Sequence, residues 1–274
     1  MAKSDQIIYS QASLQDFSEC QRRFYYRYLR QLSWPAAEAE PVLEMEALRQ
    51  AGEDFHRLVY QFLTGVPVGQ IENQAFVSGE IKTWWANFLE LGISPGTPGL
   101  FPETRLAVQV DGLKLIAKFD LIQIDGEGQV TIFDWKTTRG QPSRESLAAR
   151  WQTIVYPYVL AGAGATLTGS KPVNPENIRM VYWFANFPDR PVEFSYSNER
   201  MDADREAIQS LLGEIQARTD IEDFPLTPDV SRCRFCVYRS LCNRGESAGL
   251  HPDLEYEQQV DFDLDFDQIQ EIEF

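Results

Sequence analysis

The cysteines constrain this chain more than any other feature. Three of the four, Cys233, Cys236 and Cys242, fall close together near the C-terminus, and Cys20 lies at the other end of the sequence. A C-x-x-C pair is a compact metal-ligand spacing. If the four thiols share one site, the fold between them must bring the end of the chain back to its beginning. Such a site closes a very long loop, which is strongly stabilising when a metal supplies the link. Zinc and an iron–sulfur cluster both accept four cysteines, and the spacing does not separate them. Unligated thiols are the third reading. Disulfides are disfavoured, because the N-terminus MAKSDQIIYS has neither the basic start nor the apolar stretch of an export signal. A reducing cytoplasm is therefore the expected compartment.

With 274 residues, 43% of them hydrophobic, the chain can bury one sizeable core. No apolar run approaches the ~20 residues of a membrane span, so no membrane partner is expected. The net charge of -16 sits awkwardly with nucleic-acid binding, which draws on basic surface. Part of the excess is local. Asp253 to Phe274 holds nine acids and no Lys or Arg, and taking those nine from -16 leaves -7. Residues 1–252 are expected to form one domain, and 253–274 an acidic tail. That tail is either disordered or, through its DFDLDFD alternation, able to dock on a basic groove or a partner.

Periodicity predicts helices over Ser10 to Leu32 (with Ser13 as N-cap), Leu43 to Leu63 and Ser78 to Leu91. Three strands follow, Glu103 to Val110, Leu113 to Ile124 and Val130 to Lys136. The turn signals Asp111-Gly112 and Asp125-Gly126 separate them into a meander. Then come a helix over Ser143 to Leu160, strands over Ile178 to Ala185 and Val192 to Tyr196, and a helix over Asn198 to Arg218. The pattern is α/β, a mixed central sheet flanked by helices with helical additions.

The middle of the meander carries a second constellation. Asp134 and Lys136 are two apart on one strand and so share a face. Asp120 lies on the neighbouring antiparallel strand. Two carboxylates and a carbonyl make a hard oxygen site suited to Mg²⁺ or Mn²⁺, and a lysine beside them can orient a water or offset charge on a phosphate. A carboxylate at the end of the apolar run VTIFDWK is costly unless paired or metal-bound. Gln152 and Tyr156 share a helix face downstream, and His56 lies on the second helix upstream.

Taken in order, Gly52 to His56 (G-x-x-x-H), Ala117 to Asp120, Asp134 to Lys136 (D-x-K) and Gln152 to Tyr156 (Q-x-x-x-Y) resemble the RecB-type branch of the PD-(D/E)XK nuclease superfamily. Two positions depart from its pattern: Phe119 stands where the superfamily has proline, and Ala117 where glycine is common. Neither is a ligand. The resemblance implies a restriction-endonuclease-like fold. It implies that His56, Asp120, Asp134 and the carbonyl of Trp135 hold Mg²⁺ or Mn²⁺, that Lys136 assists the attacking water, and that Gln152 and Tyr156 steer DNA. Glu103 resembles a further acidic position of this branch. One cysteine before the nuclease core and three after it resembles the iron–sulfur nucleases of the branch, the CRISPR adaptation nuclease and the AddB nuclease among them. That implies a [4Fe–4S] cluster on Cys20, Cys233, Cys236 and Cys242.

Arginines surround both cysteine sites, Arg22 and Arg23 after Cys20 and others near the trio. They are expected to form a basic collar for single-stranded DNA. The run Gly164 to Lys171 ends G-S-K rather than G-K-[ST], so no ATP motor is expected. The leading expectation is a metal-dependent DNA exonuclease acting on single-stranded ends, in CRISPR spacer acquisition or recombinational repair, with an integrase or helicase as partner. The alternative is a subunit of such a complex that holds DNA ends without cutting. A redox or assembly protein would leave the series from His56 to Tyr156 unexplained.

Overall fold

The computed structural model describes residues 7–32, 40–74, 77, 79–234 and 236–245. The acidic stretch 253–274, the break expected at Trp34-Pro35 and the start of the second helix's side-chain packing lie outside the described residues.

Strand β1 (Tyr9–Ser10) leads into helix α1 (Gln11–Glu19). The sequence suggested one helix to Leu32 with Ser13 at its N-cap. Instead Ser10 is the N-cap and Ser13 completes a capping box with it, which uses both side chains to satisfy orphan backbone donors. The helix stops at Cys20, whose backbone is extended (φ -157°, ψ 100°). It resumes as α2 (Gln21–Phe24), followed by a π-helical turn over Tyr25–Leu29. Helices α3 (Glu40–Leu63), α4 (Val68–Glu72) and α5 (Gly79–Leu89) follow.

The expected meander is present as β2 (Leu100–Val110), β3 (Leu113–Ile124) and β4 (Val130–Lys136). Asp111 (φ 50°) and Gly112 (φ 81°) turn the first hairpin in the left-handed region, as a two-residue hairpin loop demands. The single helix expected next is two, α6 (Arg144–Ala148) and α7 (Trp151–Ala163). Strands β5 (Ile178–Phe184) and β6 (Val192–Ser195) and helix α8 (Asn198–Gln216) complete the domain. The sheet is mixed, in the order β1-β3-β4-β5-β6 with β2 on β3.

Strand β3 is shared out along its length. Its first half pairs in parallel with β1 at Leu115 and Ile116, and its second half pairs antiparallel with β4 from Leu121 onward. The sheet therefore forks between β1 and β4, and Asp120 lies at the fork.

Two apolar clusters cover the two faces. One joins α1, α7 and α8 to Leu115, Ala117, Phe119 and the inner side of β4 and β5. The other joins α3 and α5 to Leu121, Trp135, Trp183 and Ala185. Phe119 belongs to the first and Leu121 to the second, so β3 changes face across Asp120. Opposite, Glu103 takes a left-handed backbone (φ 49°), a conformation uncommon for a residue with a side chain.

One buried acid in the first layer gives a stability prediction. Asp204 on α8 is 4% exposed and ion-paired to Arg200 at 2.8 Å. Burial outweighs that partner and pushes its carboxyl up to about 6. The folded value stands above the unfolded one, so the group's favourable contribution is complete below about pH 4 and is lost as pH rises through about 6. Asp204→Asn is therefore expected to raise the thermal midpoint at pH 7.5 by on the order of 1–3 kcal/mol of stability. The same variant should gain little at pH 4, and calorimetry at the two pH values checks this.

Candidate metal centre and cysteine cluster

Helix α3 delivers His56. Phe55, Leu58 and Val59 on its inner face are buried against Trp84, Phe88 and Trp183. The Phe55 ring stacks on Trp183 with centroids 6.2 Å apart, and Trp183 meets Trp135 edge-on at 5.8 Å. These rings tie α3 to β4 and β5. Gly52, one turn before His56, explains the glycine of the motif. A Cβ there would lie 2.9 Å from the Thr137 hydroxyl oxygen, so glycine lets α3 sit against the residue after β4 without displacing that side chain. Gly52→Val should lift α3 from β4, cost about 1–3 kcal/mol and weaken Mn²⁺ binding through displaced His56. Titration of Mn²⁺ by calorimetry checks it, and unchanged affinity would overturn it.

His56 reaches two groups at the fork. Its Nε2 lies 3.1 Å from the Trp135 carbonyl oxygen, and its Nδ1 lies 3.3 Å from Asp120 Oδ1. Asp120 Oδ2 accepts from the Trp135 N–H at 2.8 Å. That amide lies just past the end of the β3–β4 ladder, where β4 no longer has β3 beside it. Glu103 joins from β2. One donor atom each from His56, Glu103 and Asp120 lie within 4.8 Å of one another. Glu103 also pairs with Lys118 Nζ.

Asp134 and Lys136 share a face, as the strand period requires. It is the α7 face of β4. Asp134 Oδ2 pairs with Lys136 Nζ at 2.9 Å, and its Oδ1 accepts from Gln152 Nε2 at 2.6 Å. Lys136 Nζ donates in turn to Gln152 Oε1 at 3.0 Å. The three side chains form a closed triangle, and Gln152 is only 2% exposed. Lys136 also lies over the Tyr182 ring, 5.7 Å from its centroid. Of the four ligands expected, His56, Asp120 and the Trp135 carbonyl converge. Glu103 completes the tight group, and Asp134, bonded to Lys136 and Gln152, lies near enough to Asp120 and His56 to act on both.

Charge in this space is crowded. Burial raises the proton affinity of Glu103, and Asp120 adds to it. Burial likewise raises Asp134, with Lys136 pulling against it and Asp120 adding. Burial opposes ionisation of Asp120 too, but His56 and the Trp135 N–H hold its carboxyl below the usual range. Burial disfavours the His56 imidazolium, and Asp120 more than restores it, holding the pKa above its ordinary value. Two half-buried carboxylates and the buried Asp134 near one imidazole are a site that attracts positive charge.

Tyr156 is buried. Its hydroxyl accepts from Gln11 Nε2 at 3.4 Å, and its ring packs on Phe119 at 4.9 Å. Helix α1 makes two further bonds to α7. Gln15 Oε1 accepts from the Trp151 backbone N–H at 3.1 Å, supplying the cap that Arg150 does not, and Ser18 Oγ accepts from the Trp151 indole at 2.7 Å. Sequence reasoning missed these three residues of α1. A polar stripe on a short helix carries no signal of its partner.

The two ends of the chain meet. Burial raises all three C-terminal thiols, and Cys20 adds to each. Cys242 is pushed up to about 11 by burial, with Cys236, Cys20 and Cys233 contributing. Around them, Arg22 Nε donates to the Phe224 carbonyl at 2.7 Å, and Tyr238 donates to the Leu32 carbonyl at 2.8 Å. Phe224 stacks on Phe24 at 6.3 Å.

Several arginines of the expected collar are engaged in ion pairs. Arg23, 9% exposed, pairs with Asp16 at 2.7 Å and with Glu19. Arg27 pairs with Asp16, and Arg232 pairs with Glu19 and Asp229. As placed, Arg22 and Arg23 brace the two ends of the chain against each other.

Among curated proteins, none matches the sequence. The crystal structure of SSO0001 is similar with a TM-score of 0.40 and 14% identity, covering 86% of each chain. A candidate exonuclease from Eubacterium rectale is similar with a TM-score of 0.45 and 10% identity, covering 90% of each. The family model of the PD-(D/E)XK nuclease superfamily matches residues 8–243. That match encloses both constellations from before Cys20 to past Cys242, and the chain belongs to the PD-(D/E)XK nuclease superfamily.

Proposed function

We propose that this nuclease is a divalent-metal-dependent DNA exonuclease that acts on single-stranded ends. The observation that carries the reading is the convergence of His56, Glu103 and Asp120 donors within 4.8 Å, beside the Lys136–Asp134 pair. The donor set fits the ion. Carboxylate oxygens, a main-chain carbonyl and one imidazole suit Mg²⁺ or Mn²⁺, and the crowding of negative charge favours a cation there. When bound, such an ion supplies Lewis-acid polarisation of the scissile phosphate.

The chain's own residues supply the rest. His56, Asp120, Glu103 and the Trp135 carbonyl would hold the ion. Lys136 offers an ammonium that orients a water and donates to a phosphate oxygen. Asp134 and Gln152 fix that ammonium in one place, which removes the rotamer freedom a lysine otherwise has. The buried floor of Trp135 and Trp183 keeps bulk water from the far side of the site.

The four thiols fit a [4Fe–4S] cluster in its structural role. What supports this is the contact between the segments that carry them, Arg22 to Phe224 and Tyr238 to Leu32, and the partial burial that raises the three C-terminal thiols. The working setting we propose is CRISPR spacer acquisition or recombinational repair, beside an integrase or a helicase.

The test is anaerobic purification, a visible spectrum, and incubation with end-labelled single-stranded DNA and Mn²⁺ alongside Lys136→Ala. A brown protein whose cleavage is lost in the variant supports both halves. A colourless zinc protein that cuts removes the cluster and keeps the nuclease. A protein that binds ends and never cuts them supports the end-holding subunit instead.

A further inference from the structure

The open face of the β2–β3 hairpin carries charge of one sign. Arg105, Ala107 and Gln109 on β2 pair in register with Lys118, Ile116 and Lys114 on β3. The alternating residues, Leu106, Leu113, Leu115 and Ala117 among them, are buried in the first apolar cluster, and α7 packs on both strands from that side. On the other side Arg105, Ala107, Gln109 and Lys114 are exposed, and Ile116 and Lys118 half-buried. Antiparallel sheets commonly leave one face in water, and such faces ordinarily mix both signs of charge. This chain has 41 acids against 25 Lys and Arg. Yet no acid stands on this face between Glu103 and the turn. Asp111, in the turn itself, bonds Gln209 at 3.0 Å.

The strip also has a direction. It starts at the Asp111-Gly112 turn and ends at Glu103 and Asp120. Lys118, the last cation, pairs with Glu103 and so touches the metal group itself. Lys114 and Lys118 lie four residues apart, roughly 13 Å along the strand. Ala107 and Ile116 between them are small or apolar and form a flat floor. In an acidic protein, a run of cations leading into a metal centre fits a phosphodiester backbone. Contacts of cations to phosphates position a strand without reading its bases.

We propose that this face is the bed along which a single nucleic-acid strand enters the metal centre, its phosphates held by Arg105, Lys114 and Lys118. The inference rests on the nuclease reading above and adds the path of the substrate. Binding along it is electrostatic and independent of sequence, and it delivers the strand end first to Asp120.

The test uses the full chain in Ca²⁺. Affinity for a labelled oligothymidylate is measured across a salt series for the wild type and for Arg105→Glu/Lys114→Glu. Lys82→Glu/Lys171→Glu, exposed elsewhere, controls for net charge. Hydrolysis of bis(p-nitrophenyl) phosphate in Mn²⁺ reports the metal centre alone. We expect the hairpin variant to bind at least about tenfold more weakly and to lose about 1.4 from the slope of log affinity against log salt, two phosphate contacts for a single strand. Its hydrolysis of the small diester should match the wild type. The milder Arg105→Gln/Lys114→Gln should shift the same way by less, which covers any folding defect of the reversal.

If the hairpin variants bind as the control does while the wild type binds and cuts, the bed is overturned and the nuclease reading stands. If the wild type hydrolyses no phosphodiester, that reading itself has failed. A duplex that competes as well as the strand itself overturns the single-strand assignment.

Discussion

Asp120→Asn will lower metal-dependent cleavage by roughly a thousandfold and leave the protein folded. Asp120 is where the site's interactions cross. One oxygen faces His56 at 3.3 Å, and the other accepts from the Trp135 N–H at 2.8 Å. Asparagine keeps a carbonyl oxygen for that amide, so the local backbone has no reason to move. What it removes is the charge that holds a cation next to Glu103. The lost pairing with His56 should lower the melting point in EDTA only modestly, because Glu103 and Asp134 both lose a repulsive neighbour. The diagnostic is the effect of Mn²⁺ on melting. The wild type should be stabilised by millimolar Mn²⁺ in proportion to occupancy, and the variant should not. Full activity in the variant would remove Asp120 from the metal centre.

Cys20→Ser is expected to do a different kind of damage. Cys20 sits in the extended break between α1 and α2, and its charge acts on all three thiols from the far end of the chain. On the loop-closure scale for cross-links, a tie of this length is worth about 5 kcal/mol. The variant should lose absorbance near ~400 nm and show residues 7–32 open to limited proteolysis, with the sheet still protected. A brown, protease-resistant Cys20→Ser protein would show that Cys20 is no ligand. The clamp would then rest on Phe24, Phe224 and Tyr238 alone.

Much of this was legible in the residues. The turn pairs Asp111-Gly112 and Asp125-Gly126 mark the ends of β2, β3 and β4: the first is left-handed at both residues, as a tight hairpin favours, while in the second loop the left-handed residue is Gly128 (φ 82°). Strand period placed Asp134 and Lys136 on one face. The helical break at Cys20 was not legible, since nothing in SECQRRF interrupts the local preference for helix, and the break is made by packing against the chain's other end. Strand β1 is two residues long and has no period to read. Glu103 was visible only as a resemblance. Its place in the metal group depends on a left-handed backbone at Glu103 and on β3 changing face at Asp120, both set by long-range packing. The partners of the arginines were hidden for the same reason: Arg23 and Arg27 find Asp16 only once α1 and the turn after it are folded against each other.

The bonds from Gln15 and Ser18 to Trp151 mean that this enzyme has a built-in interlock. Trp151 immediately precedes Gln152, the residue that aligns Asp134 and Lys136. Helix α1 holds that point and ends at Cys20. The cysteine end and the aligned lysine are thus joined through one short helix and two side-chain bonds. An enzyme so built ties the order of its catalytic lysine to the order of its cysteine end.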